Sequence, residues 1–404
     1  MYITSKDTII FDFKYNDPLD INLISQYKKI IFSDWQLSEG ICEAYENNIF
    51  NDFKWYSSDF NQEVNWVTQL ITHLTFGYNF NQEVAKLPQL LTHLTFGANF
   101  NQEVSNLPSF ITYLTFGRCF NRKVAKLPQL LTHLTFGYKF NQEVAMLPRQ
   151  LTHLTFGYFF NQEIAQLPHQ LTHLTFGSYF NQEVGKLPQL LTHLTFGYYF
   201  NQEVTKLPQL LTHLTFEWKF NQEVAKLPPL LTHLIFEGSF NQEVDKLPQL
   251  LTHLTFGYYF NQEVAKLSRQ LTQLTHLTFG YNFNKSNIYL PFGIKYLKLD
   301  CNNPQIISQL SLNIEVLELG FNFNLELNDL PTSIKKIIFD EDSEYNKELN
   351  CLPKFVEQIQ LPIYYDKQIK NLPQKLKKVI CSNQYKYIED FNNLEIETYI
   401  VFKI

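Results

Sequence analysis

Apolar residues along most of the chain fall in an order that returns every 20 residues, and Leu87, Leu91, Leu94, Phe96, Phe100 and Val104 show it for one copy. Leu94 and Phe96 alternate with the polar His93 and Thr95, the period-2 signature of a strand with one buried face. Two threonines in so short a segment favour strand over helix. Pro88 fixes φ and lacks an amide donor, so the return segment is extended or turn-like there. The stretch from Gln102 to Ser105 is too short to hold more than one helical turn. Each copy therefore predicts one short strand and little helix.

One copy buries too few side chains to offset the ordering of its own backbone. Stacked copies supply the missing pairing, and equal spacing sets equivalent strands side by side as a parallel sheet at ~4.8 Å per coil. The predicted architecture is a repeat solenoid.

The register holds from Phe60-Asn61 to Phe260-Asn261, so residues 60–284 read as regular repeats. A three-residue insertion then doubles the Leu-Thr unit at Leu271-Thr272-Gln273-Leu274-Thr275-His276-Leu277, and should bulge one coil. Residues 285–404 carry weaker copies, among them Leu290…Ile294…Leu297…Leu299 and Leu372…Leu376…Val379…Cys381, ending in a capping strand around Leu394 and Ile400. Residues 1–59 read as degenerate capping repeats, with the skeleton at Leu23…Tyr27-x-x-Ile30-x-Phe32 and a looser copy at Phe50-x-x-Phe53-x-Trp55. A small separate head over residues 1–45 is the competing reading.

The pattern Leu-Pro-x-x-Leu-Thr-His-Leu-Thr-Phe-Gly-x-x-Phe-Asn-Gln-x-Val resembles the FNIP repeat, a short relative of the leucine-rich repeats. The resemblance is close over residues 60–284 and looser elsewhere. It implies an open, curved, leucine-rich-repeat-like horseshoe used for protein interaction. Some members carry an N-terminal F-box that recruits a ubiquitin-ligase core; residues 1–60 here show no such helix pattern. Asn101 follows Phe96 by five positions where ordinary leucine-rich repeats place their Asn three after the equivalent leucine, so a different turn or a closed β-helix stays open.

Composition narrows the function. A net charge of −6 with scattered Lys and Arg argues against nucleic acid or an anionic membrane, because phosphate binding needs a concentrated basic face. Cys42, Cys119, Cys301, Cys351 and Cys381 form no CxxC pair, which fits a reducing compartment better than a disulfide framework or zinc site. The start of the chain lacks a signal-peptide pattern, and no apolar run approaches the ~20 residues of a membrane span. The expected location is cytoplasmic. No nucleophile elbow, P-loop, dinucleotide fingerprint or HExxH motif is present, so neither enzyme activity nor a cofactor is expected.

The period also lines side chains into columns. Asn61, Asn81 and their copies to Asn261 are expected to bond backbone groups where each coil turns. His73, His93, His133, His153, His173, His193 and further copies make a line interrupted by Tyr113, expected to stack in neutral form beside threonines and not to hold a metal. Glu83 and its copies are expected to pair with Lys86 and its copies along a solvated edge. Gly97 and its copies should end each strand with φ > 0. The positions before each Phe-Asn vary where little else does. They hold Tyr78, Arg118, Tyr138, Tyr158, Tyr179, Tyr198, Tyr199, Trp218, Tyr258 and Tyr259, residue types that anchor interfaces. With His93, His133, His153, His173 and His193 they form the candidate surface for a protein partner. A ubiquitin-ligase adaptor bound through residues 1–60 and a repetitive polymer held on the Thr-His-Thr face are the alternatives.

Overall fold

A computed structural model describes residues 2–37, 41–47, 54–63, 70–164, 166–185, 187–204, 206–224 and 226–399. The side chains of Cys42, Glu43 and Glu46 lie outside that description. The chain divides into two units, Met1–Phe200 and Asn201–Ile404.

In the first unit an edge strand β1 (Tyr2–Ser5) pairs antiparallel with β2 (Thr8–Phe11), which pairs parallel with β3 (Lys29–Phe32). The repeats follow as β4 (His73–Thr75), β5 (His93–Thr95), β6 (Tyr113–Thr115) and β7 (His133–Thr135). After them come β8 (His153–Thr155), β9 (His173–Thr175) and β10 (His193–Phe196). Every pair is parallel and in register, so His faces His, or Tyr113, across the ladder.

The second unit repeats the arrangement with β11 (His213–Phe216), β12 (His233–Phe236), β13 (His253–Phe256), β14 (His276–Phe279) and β15 (Tyr296–Leu299). It continues with β16 (Val316–Leu319), β17 (Lys336–Phe339), β18 (Gln358–Gln360), β19 (Lys378–Ser382) and β20 (Glu395–Tyr399), all parallel. The weaker copies coincide with β15 to β19, and Leu394 leads into β20; Ile400 lies outside the described residues. Among the described residues helix is confined to short pieces: α1 (Ile21–Ile24), α2 (Ile41–Asn47), α3 (Leu267–Gln270) and α4 (Pro304–Ser308), with a 3₁₀ turn at Ile388–Phe391. No described helix is long and apolar enough to cross a membrane.

The interior is built from the residues the alternation marks. Leu91, Leu94, Phe96 and Phe100 are at most 2% exposed. Phe96 stacks on Phe100 of its own coil at 3.8 Å and on Phe116 of the next at 5.6 Å, so aromatic contacts run both within and between coils. The same pairing identifies the first coils. Phe11 lies 4.4 Å from Tyr15, and Phe32 stacks at 3.8 Å on Phe60, although the chain between those last two is far longer than between Phe76 and Phe80.

Of the looser copy read at residues 50–55, only Lys54 and Trp55 are described. Trp55 forms an isolated antiparallel bridge with Trp35 and no further coil strand, while Phe50 and Phe53 lie outside the described residues. From the same excursion α2 packs Ile41 and Ala44 against Ile10, with Ile3, Ile31 and Trp35 around them. Ile10 and Ile31 occupy the column that Thr75 and Thr95 fill further on, so the outer strand face is covered at its first two coils by an apolar contact.

The glycine expectation is also corrected. None of the strand-ending glycines has positive φ; a Cβ on Gly97 would instead sit 1.8 Å from the Gly77 carbonyl oxygen. Close approach of neighbouring coils, and not turn conformation, demands the missing side chain. The insertion after Lys266 leaves the sheet untouched. It is taken up in α3 and the turn before His276, and His276 still pairs with His253.

Candidate functional site

Three columns frame the outer strand face. The middle one is the histidine line. Ring centroids lie 4.1 Å apart between His73 and His93, and 4.1 to 4.2 Å between successive rings from His133 to His193, with planes within about 15° of parallel. Tyr113 continues the stack at 4.3 Å from His93 and 4.1 Å from His133. In the second unit His213, His233, His253 and His276 stack at 4.0 to 4.1 Å, and Tyr296 follows at 5.2 Å. The histidine rings are half-buried.

Each preceding threonine fixes its ring. Thr152 Oγ1 lies 2.9 Å from His153 Nδ1 and 3.1 Å from the Thr132 carbonyl oxygen, and the same triangle recurs at Thr92, Thr132, Thr172 and Thr252. Burial, and then the neighbouring imidazoles, push His153 and His253 down to about 4. His73 falls to about 4 through burial, with His93 and Lys29 adding to it. Two imidazolium charges at about 4 Å repel by about 1 kcal/mol in bulk water and about 4 kcal/mol at an effective dielectric constant of 20. Among the described residues no group of three or more His, Cys, Asp or Glu is placed to hold a metal ion. Parallel rings aim their lone pairs alongside one another, not at a common point.

At the strands' exit edge the variable positions form an aromatic ridge. In the first unit the Arg118 guanidinium lies over the Tyr138 ring at 5.0 Å, Tyr138 stacks on Tyr158 at 4.5 Å, and Tyr158 reaches Tyr179 at 5.2 Å. Phe159 packs edge-on against Tyr138, and Tyr179 meets Tyr199 at 4.7 Å. Tyr198 lies 4.7 Å from Tyr199, and Tyr78 lies apart from this run, edge-on to Trp55 at 5.6 Å. In the second unit Trp218 lies 6.0 Å from Tyr258 and 6.3 Å from Tyr259, and Tyr258 stacks on Tyr281 at 5.0 Å. Trp218 is also a packing residue, because its ring occupies the space where Gly238 lacks a side chain.

At the entry edge runs a column the sequence reading missed: Leu70, Leu90, Phe110 and Leu130 in the first unit, and Leu210, Leu230 and Leu250 in the second, all exposed. The Leu90-Leu91 doublet carried the signal, since only Leu91 is in phase with the interior. A second missed feature lies on the strand face of the divergent coils, where Lys295, Glu315, Lys335, Glu357 and Lys377 follow one another in the column of Thr72 and Thr92. Lys295–Glu315 (3.7 Å), Lys335–Glu315 (2.8 Å) and Lys377–Glu357 (2.6 Å) make ion pairs there. Alternating signs at 20–22-residue spacing were readable in the sequence.

On the return segment each Asn accepts the next coil's amide, as in Asn101 N–H to Asn81 Oδ1 at 2.8 Å, and Gln102 Nε2 donates to the Asn81 carbonyl at 2.9 Å. The ladder starts from Asn16, which accepts from Asn61 N–H at 2.9 Å. The expected Glu–Lys edge differs. Among the described residues Glu83 and its copies make no ion pair with Lys86 and its copies, and Lys186 lies outside the description. The pairs recorded in this region reach across coils instead, Lys266 to Asp245 and Lys285 to Glu263. The chain turns at Ala85-Lys86 immediately after the buried Val84, which separates the two side chains.

The stacked parallel coils, their leucine and phenylalanine interior and the in-register strand face define a solenoid of the leucine-rich-repeat type. Within that class the FNIP Repeat model matches residues 83–119, 103–139, 120–159, 160–199, 180–217 and 200–239. The solved structure titled "The crystal structure of CroV588 a novel circular LRR protein structure" is 32% identical, with a TM-score of 0.70 over 98% of this chain and 70% of that one. The chain belongs to the FNIP-repeat family of leucine-rich-repeat solenoids. Lower similarity extends to YopM from Yersinia enterocolitica (18% identity, 82% of this chain and 75% of that one, TM-score 0.47). It extends also to the functional domain of InlJ from Listeria monocytogenes (16% identity, 78% and 73%, TM-score 0.49). A comparison with curated proteins finds no match.

Proposed function

We propose that this chain is a non-enzymatic scaffold that holds a protein partner on its outer strand face and aromatic ridge. Solenoids of this type commonly mediate protein–protein interaction, and one observation carries the reading here: Arg118, Tyr138, Phe159, Tyr179 and Tyr199 lie exposed and in mutual contact at the edge of the face. Tyrosines supply large contact area at low entropic cost, and arginine is likewise enriched among the residues that anchor interfaces. A protein fits better than a polysaccharide, because Tyr138 and Tyr158 turn their ring faces toward each other at 4.5 Å and 8°, which leaves edges and hydroxyls for a ligand. A cytoplasmic setting belongs to the same proposal, supported by Cys119, Cys301, Cys351 and Cys381 being free thiols.

A photo-crosslinking residue at Tyr179, with one at Glu183 on the return segment as control, tests the ridge against cytosolic extract. Selective protein adducts at Tyr179, lost in the Arg118→Ala/Tyr138→Ala/Phe159→Ala variant, are expected. Equal adducts at both positions reject the ridge.

A further inference from the structure

We propose that the histidine column is a proton-operated device that keeps the strand face uncharged and closely stacked at neutral pH and drives adjacent rings apart in mild acid. The proposal rests on geometry and stands whether or not a partner docks on this face. Rings held face to face at 4.1 to 4.2 Å from His133 to His193 leave no room for water between them, so two neighbouring charges would confront each other with solvent only at the ring edges.

Hydrogen bonding opposes the charged form as well. An imidazolium carries a proton on both nitrogens, so Nδ1 can only donate. The Thr152 hydroxyl must then direct its own proton to the Thr132 carbonyl oxygen at 3.1 Å, which already accepts the Thr152 and His153 amides at 2.9 and 3.0 Å. Neutral His153 can instead accept from that hydroxyl at 2.9 Å.

Among the described residues few other charges face the column. Lys29 and Asp7 lie at its start beside His73, Tyr113 interrupts it, and Tyr296 with Glu318 on its hydroxyl closes the second unit's run. From His133 to His173 burial lowers each ring first, and at His133 and His153 the neighbouring imidazoles lower it further. A folded state in which these groups sit below 6.5 binds fewer protons than the unfolded chain. Their stabilising contribution is therefore complete above pH 6.5 and declines as pH falls from there toward about 4, the value reached by His153. Glu315 and Glu357, held below the usual carboxylate value by Lys335 and Lys377, lose their contribution only at lower pH.

Histidine ring NMR and thermal melts of the full chain between pH 7.5 and 5 test the device. Column rings are expected to titrate below 6.5 in staggered steps, with a melting temperature that falls across that range. Column rings that all titrate together near 6.5 with a flat melting temperature overturn the proposal. In His133→Asn/His153→Asn/His173→Asn the fall shrinks by about a third, because three of the column's ten histidines are gone; removing His169, exposed and outside the column, leaves the fall unchanged. Tyr113→His, which joins the two runs of the first unit, makes the fall steeper and keeps the test decisive should the triple variant not fold. An unaltered profile in Tyr113→His also overturns the proposal.

Discussion

Two small residues per coil set how closely the coils approach. Gly97 lets the strand ends meet, and Asn81 supplies the acceptor that ties the next turn down. A methyl at Gly97 would press on the Gly77 carbonyl at 1.8 Å, with backbone and no flexible side chain as the obstacle. Gly97→Ala is therefore expected to cost about 1–3 kcal/mol in denaturant unfolding, the usual penalty for overpacking. Gly185, whose added methyl would meet nothing within 4 Å, is the contrast. Gly185→Ala should be neutral or stabilising by up to about 1 kcal/mol through the unfolded chain. Equal destabilisation by both would remove close approach as the reason for the Gly97 column. Coils bearing Glu217 and Glu237 show that the position is not restricted to glycine in every coil, and there burial, then Glu237, raises the Glu217 carboxyl.

A coil as an element is stabilised from inside. Phe156 and Phe160 stack at 3.9 Å and are buried, whereas His153 and His173 contribute half-buried stacking on the outer face. His153→Ala/His173→Ala is expected to keep the circular-dichroism spectrum and a cooperative melt, losing about 1–3 kcal/mol from broken ring contacts. Phe156→Ala alone should cost more, about 3–5 kcal/mol, because it leaves a cavity. A double histidine variant that fails to fold would show the outer column to be structural. The element scale also explains α3: three extra residues on the return segment form a short helix, because a slip of β14 would turn Leu277 and Phe279 out of the interior.

Over the whole molecule the strand face changes chemistry along the chain. It is apolar and covered at Ile10 and Ile31, neutral and stacked along the Thr-His coils, and charged with alternating sign from Lys295 to Lys377. Exposed ion pairs are screened by salt, and stacked neutral rings are not. Hydrogen exchange in 1 M salt is expected to quicken at β16 to β18 and to leave β5 to β9 unchanged. Uniform quickening would mean that the charge ladder contributes nothing specific.

The period alone determined the strand, its register, its buried face and the parallel stacking, because identical units can pair through every coil only when equivalent residues meet. It also placed the histidine line and the aromatic positions, since a column needs nothing beyond spacing. Tertiary structure decided what spacing does not encode. The strand-ending glycine answers to a carbonyl in another coil, the Glu and Lys rows part at a turn, Trp55 bridges to Trp35, and α2 folds back over Ile10. Those outcomes depend on approach distance and on where an irregular segment finds apolar surface, and neither leaves a period in the chain.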